Sequence, residues 1–325
     1  MSRTLIASLL LTASAAWCAS DEMRGPVSGL LVDAQTRAIR PIVGMPGSAY
    51  AGESAVREAD FALAAPNGQT ALVARESTLY VLRRMDSDQP VWRTFGENAA
   101  AIGRAAWSED AKGLALYFPA ESRLQLWAGM QDAPEVAAEI DLLAVEGRLK
   151  SVAVASDGRT AFAAIENGES GALYILKAGE SPRMLLALNR AGNLILSGKS
   201  LYVADLERNE VLRLEDWDSG LSVTTVATAA HGVANPVGIA LASGGELLLV
   251  ASGETRQVVA VHTKRFTVEA AVDLDFIPTR LEATGSVFLL ASGSAGEEPA
   301  QVLDASTMRV YFVPVPALPP PAPVE

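Results

Sequence analysis

Glutamate recurs at one kind of place along this chain. Short polar stretches between apolar runs read RESTL with Glu76, AESRL with Glu121, GESGAL with Glu169, RNEVL with Glu210, GETRQV with Glu254 and GEEPAQV with Glu297 and Glu298. Carboxylates repeated on connections of one face add their fields and can steer a cationic partner. The plain alternative is ordinary solvation of turns, with Arg75, Arg123, Arg208 and Arg256 close by to neutralise them. Other chemistry is sparse. No GxSxG, HExxH, P-loop, dinucleotide or calcium-loop phrase occurs. His231 and His262 are the only histidines, and neither has a Ser or Cys phrase nearby for a general base to activate. Trp92, Trp107, Trp127 and Trp217 read as packing between layers before they read as a ligand platform. No catalytic residue, metal ligand or cofactor is assigned.

The elements that would hold such a glutamate ring are hairpins. Residues 31–44 read LVDAQTRAIRPIVG and residues 302–315 read VLDASTMRVYFVPV: each is an apolar run, a polar turn and a second apolar run. Residues 152–165, VAVASDGRTAFAAI, place two alternating runs around Asp157-Gly158. Comparable glycines at Gly68, Gly113, Gly158, Gly198, Gly245 and Gly285 fall 40 to 47 residues apart. That period is the length of a four-stranded propeller blade. Six units fit, at about 57–101, 102–147, 148–190, 191–234, 235–277 and 278–315. The fold expected is all-β: a β-propeller of four-stranded antiparallel blades, six complete plus an N-terminal half-blade, in a six- or seven-bladed ring. The half-blade over 21–56 is read as the same third-and-fourth-strand pair that ends the last blade, supplying outer strands at the closure or taking a seventh slot. Each glutamate then sits between second and third strands.

Composition sets the address. The chain has 325 residues, 50% of them hydrophobic, and a formal charge of −12. That acidity disfavours nucleic acid and anionic membranes as partners. Met1-Ser2-Arg3, the apolar run from Leu5 to Ala16 and the small residues at Cys18-Ala19-Ser20 read as a signal peptide over 1–20, so export to the periplasm or the medium is expected. No later run is long enough to span a bilayer. Cys18 is the only cysteine, and Trp17 before it fits a lipoprotein site poorly. Ordinary cleavage after Cys18 or Ser20 is the expectation, with lipid anchoring through Cys18 as the alternative. Residues 316–325 are a proline-rich tail.

VAVASDGRT (152–160) resembles the inner-strand phrase of YVTN-type propellers, and LYVADLERNEVLRL (201–214) and NPVGIALASGGELLLVAS (235–252) resemble NHL-type repeats. The resemblance implies architecture more than function, since such repeats serve many roles. The function expected is an exported, monomeric binding or scaffolding module that engages a protein or small-molecule partner, cationic in character, through its loop face. The alternative is a divalent-metal-dependent lactonase-type enzyme, because the same phrases resemble calcium-dependent gluconolactonases. Only Asp205, in Tyr202-Val203-Ala204-Asp205, matches that family's ligand phrases. Pro236-Val237-Gly238 stands where its ligand Asn would be.

Overall fold

Asp157 and Gly158 show how each repeat turns. Asp157 Oδ1 accepts the Arg159 N–H at 2.8 Å, and the Ala155 N–H donates to Thr160 O at 2.9 Å. Gly158 has φ of 63°, and a Cβ there would lie 2.3 Å from Trp127 O on the neighbouring sheet. Glycine alone supplies both the conformation and the clearance. The alternating runs on either side become the strands Arg148–Val154 and Thr160–Asn167.

In the computed structural model, which describes residues 25–33, 36–87, 89–97, 101–291 and 298–317, this unit recurs around a ring. The expected signal peptide with Cys18, the residue Glu297 and most of the proline-rich tail lie outside the described residues. Six antiparallel sheets have four strands each, ordered inner to outer along the chain. They are blade 2 (61–97), blade 3 (104–141), blade 4 (148–188), blade 5 (191–227), blade 6 (236–273) and blade 7 (282–313). Blade 1 has three strands, Val27–Val32, Ile39–Val43 and Tyr50–Ala51. The only helix among the described residues is three short 3-10 turns, and none is long and apolar enough to cross a membrane.

Seven buried apolar clusters hold the ring, each shared by two adjacent blades. An open row of seven blades would have one interface fewer, so the ring is closed. Leu30 packs with blade 2 residues such as Val73 and Leu82, while its neighbour Leu31 packs with blade 7 residues such as Leu289 and Val302. Period-2 alternation thus sends successive side chains of one strand into two cores.

The N-terminal segment takes the seventh slot, one of the two places expected for it, and the other expectation is corrected. The N-terminal hairpin is no pair of outer strands. Val27–Val32 lies at the inner rim, packed between the inner strands Phe61–Ala64 and Glu282–Thr284. Its central residues are buried on both faces, whereas outer strands such as Val91–Glu97 are largely exposed. Gly29 comes so close to blade 7 that a Cβ would sit 2.2 Å from Thr284 O. A polar turn between two apolar runs specifies a hairpin but carries no information on radius.

Closure is non-covalent and uses both ends of the chain. Thr284 Oγ1 accepts the Leu30 N–H at 2.7 Å and donates to Leu30 O at 2.8 Å. The Ala51 N–H donates to Pro314 O at 2.9 Å, which lays the C-terminal segment along the open edge of blade 1. Arg40, 4% exposed, donates from Nε to Gly52 O, from Nη2 to Ala51 O and from Nη1 to Pro316 O, at 2.7, 3.1 and 2.6 Å. Burial pushes this guanidinium down from its ordinary pKa, and Asp33 works in the other direction.

Candidate functional site

A four-stranded meander puts every connection between second and third strands on the same face as the links between blades. Glu76, Glu121, Glu169 and Glu254 are all exposed there. Their surroundings differ. Glu76 lies 3.8 Å from Arg75 Nε. Glu121 is held by Arg123 at 2.7 Å, and Arg123 also binds Glu139. Glu210 is folded in, with its side chain 13% exposed and 2.7 Å from Arg208 Nε. Glu298 is exposed. The glutamates share a face without forming an even ring.

Two of them, Glu169 and Glu254, meet across a cavity of about 1060 Å³ that spans blades 4, 5 and 6. Glu166, Glu207 and Arg190 line it with them, as do Asn189, Asn209 and Asn235. Sequence reading missed Glu166, Glu207 and the asparagines, because the repeat comparison tracked one position per blade. The signal available was local: ENGES at 166–170, NR at 189–190 and LERN at 206–209 are polar connections of blades 4 and 5 and the link between them. A shallower hollow of about 330 Å³ on the outer wall, lined by Phe276, Met308, Tyr311 and Phe312 among others, brings no comparable set of polar groups together. A large hollow with convergent polar groups is the better candidate for binding.

Asp205 builds the cavity wall. It ends the second strand of blade 5 and is 1% exposed. Its carboxylate accepts the N–H groups of Asn189 at 2.8 Å and of Arg190, Glu207 and Arg208 at 3.2 Å each. One buried side chain therefore fixes both the blade 4–5 link and the blade 5 turn that line the hollow. Three of these donors share Oδ1 and the fourth reaches Oδ2, so the backbone fixes the carboxylate's orientation. Asp205, the residue that matches the lactonase phrases, is thus a backbone-engaged side chain, and no group of three or more His, Cys, Asp or Glu placed to hold a metal occurs among the described residues. On the next wall Asn209 Oδ1 accepts the Asn235 N–H at 2.6 Å, with both residues near φ of 50°. Asparagine tolerates that left-handed conformation better than most residues.

Charge in and beside the hollow is arranged by radius, with Arg190 and Glu166 in its lining and Arg148 and Lys150 next to them. Lys150, Arg148 and Arg190 approach Glu166 at 3.3, 3.4 and 3.9 Å, from the inner strand of blade 4 and the link into the inner strand of blade 5. Burial opposes ionisation of Glu166, but the hydrogen bond and charge of Lys150, with those of Arg148, outweigh it and hold the carboxyl below the usual glutamate range. Glu169, Glu207 and Glu254 stand farther out, on the turns.

The remaining residues singled out in the sequence have structural partners. His231 Nδ1 accepts the Thr228 N–H at 3.0 Å, and His262 Nδ1 accepts the Lys264 N–H at 3.1 Å, so each caps a turn. Trp127 stacks edge-on against Phe95 at 4.8 Å and Trp217 against Phe162 at 4.9 Å, while Trp107 donates to Leu63 O at 3.3 Å. Trp92, on an outer strand, meets Tyr80 at 5.6 Å and is 44% exposed.

Known structures share the architecture. Apo AztD from Citrobacter koseri superposes with a TM-score of 0.54 at 12% identity, over 89% of this chain and 95% of that one. A functionally unknown protein from Desulfotomaculum acetoxidans gives 0.50 at 14% identity, over 75% and 78%. No family model matches the chain, and no curated protein matches it. At these identities the likeness reaches the fold alone: the chain is a seven-bladed β-propeller, and its YVTN and NHL phrases stay a resemblance.

Proposed function

We propose that this protein is an exported binding module, built on YVTN- or NHL-like repeats, that captures its partner on the turn face. The observation that carries this reading is the polar cavity across blades 4 to 6, where Glu169, Glu207 and Glu254 have no ion-pair partner among the described residues. Unneutralised carboxylates on one face speed the approach of a cationic group, and salt screens them over about 8 Å at physiological strength. The N-terminal run from Leu5 to Ala16 supports export, and N-terminal sequencing of the mature protein would test it. A Met1 start on envelope-free cytoplasmic protein would reject export.

The binding reading is tested with a triple variant, Glu169→Gln, Glu207→Gln and Glu254→Gln. Envelope extract is passed over immobilised wild type and variant, and the association rate of the retained partner is followed against salt. The expected outcome is slower association and a flatter salt dependence for the variant, with the melting temperature nearly unchanged. Equal rates in low salt would reduce these carboxylates to solvation.

A further inference from the structure

The turn face is acidic as a whole, but the cavity within it is not uniformly so. Arg148, Lys150 and Arg190 converge on the single carboxylate of Glu166, which leaves two positive charges in excess at that spot. Arg148 and Arg190 keep 75% and 60% of their side-chain surface open, so the excess faces solvent. All three cations spring from innermost strands or the link entering one, at small radius. Glu169, Glu207 and Glu254 sit on turns between second and third strands, at larger radius. Of the three cations only Arg190 lines the hollow, with Arg148 and Lys150 behind Glu166, so the inner edge carries the positive excess and the rim the carboxylates. Asn189 and Ser170 also line the hollow.

We propose that this cavity binds a zwitterionic small molecule of short-peptide size, with its anionic group toward Arg190, which lines the cavity and is backed by Arg148 and Lys150 across Glu166, and its ammonium group toward the outer glutamates. This rests on the turn-face reading and sharpens it: a purely cationic ligand satisfies only the rim, and a purely anionic one is repelled by it. Opposite charges held at fixed separation select for a ligand that carries both, because either one alone leaves half of the field unanswered. The volume of about 1060 Å³ lies at the upper end for small-molecule sites, room for several peptide units.

Three probes separate the alternatives: tetraglycine, its N-acetyl form and its C-terminal amide, titrated calorimetrically into the full chain at low salt. Tetraglycine should bind about tenfold tighter than either capped form, since two or three partly screened charges act at each end. Arg190→Gln should lower the affinity for tetraglycine and leave that for the amide unchanged. Glu254→Gln should lower it and leave that for the N-acetyl form unchanged. Both substitutions lie on exposed side chains, and thermal melting confirms that each variant is folded. A capped form that binds as tightly as tetraglycine overturns the proposal, as does the absence of saturable binding by all three at about 10 mM, a concentration beyond the weakest specific sites. Capture of an envelope partner that the triple glutamate variant loses, with no preference among the probes, would leave the turn-face reading standing and remove this one.

Discussion

At the scale of single residues, two buried side chains carry more than the exposed glutamates do. Asp205 satisfies four backbone N–H groups, and Thr284 both accepts from and donates to Leu30. Removing one partner of a buried hydrogen bond costs about 1 to 3 kcal/mol. Asp205→Ala is therefore expected to destabilise by roughly 2 to 4 kcal/mol, with Asp205→Asn in between, as read from denaturant midpoints. Thr284→Val keeps the shape and should still cost about 2 kcal/mol. Acid acts through carboxyls held below their ordinary range. Burial opposes ionisation of Asp110, but hydrogen bonds from Ser108, Ser156 and Lys112 prevail; at Asp304 burial is likewise outweighed by Ser306 and Thr307. With Glu166, these groups bind protons more weakly folded than unfolded. Their contribution is present above the ordinary values of 4.5 for glutamate and 3.8 for aspartate and is lost as pH falls through the lower folded values. The melting temperature should stay level from neutral pH down to those values and then drop. A level profile continuing to about pH 2 would contradict this assignment.

At the scale of elements, the hairpins were legible and their radial places were not. Gly158, like Gly68 and Gly285, marks a turn where positive φ and a close neighbouring backbone favour glycine, and that requirement is displayed in the sequence. Where a strand sits in the ring depends on what packs against it. The clue was present in Leu30-Leu31-Val32, an apolar run of both parities that an outer strand with one wet face would not need. The same limit hid the cavity: Glu207 and Asn209 become neighbours of Glu169 and Glu254 only through the placing of three blades. The C-terminal segment shows the energetic side. Truncation after Val313 removes the Pro314 and Pro316 carbonyls, leaving Arg40 buried with two acceptors in place of three. The expected result is a fall of several degrees in melting temperature, checked by scanning calorimetry. Arg40→Met in the truncated chain should recover part of the loss, because it removes the stranded charge.

For the whole molecule, the ring rather than any blade is the stable unit, since every apolar core is shared between two blades. Circular dichroism should show sheet with very little helix. Chelator should leave the melting temperature unchanged, because the binding reading needs no metal; a drop with EDTA restored by calcium would favour the enzyme reading. The closure also sets an order in time. Leu30 waits for Thr284, its partner 254 residues away along the chain. At synthesis rates of about 5 to 20 residues per second, that partner arrives roughly 10 to 50 s later. Through that interval the strand destined for the centre of the ring has one flank without its neighbour, with apolar Leu31 on it. The first blade made is the last one finished, so a chain halted before closure leaves an apolar flank uncovered there, the kind of surface on which aggregation starts.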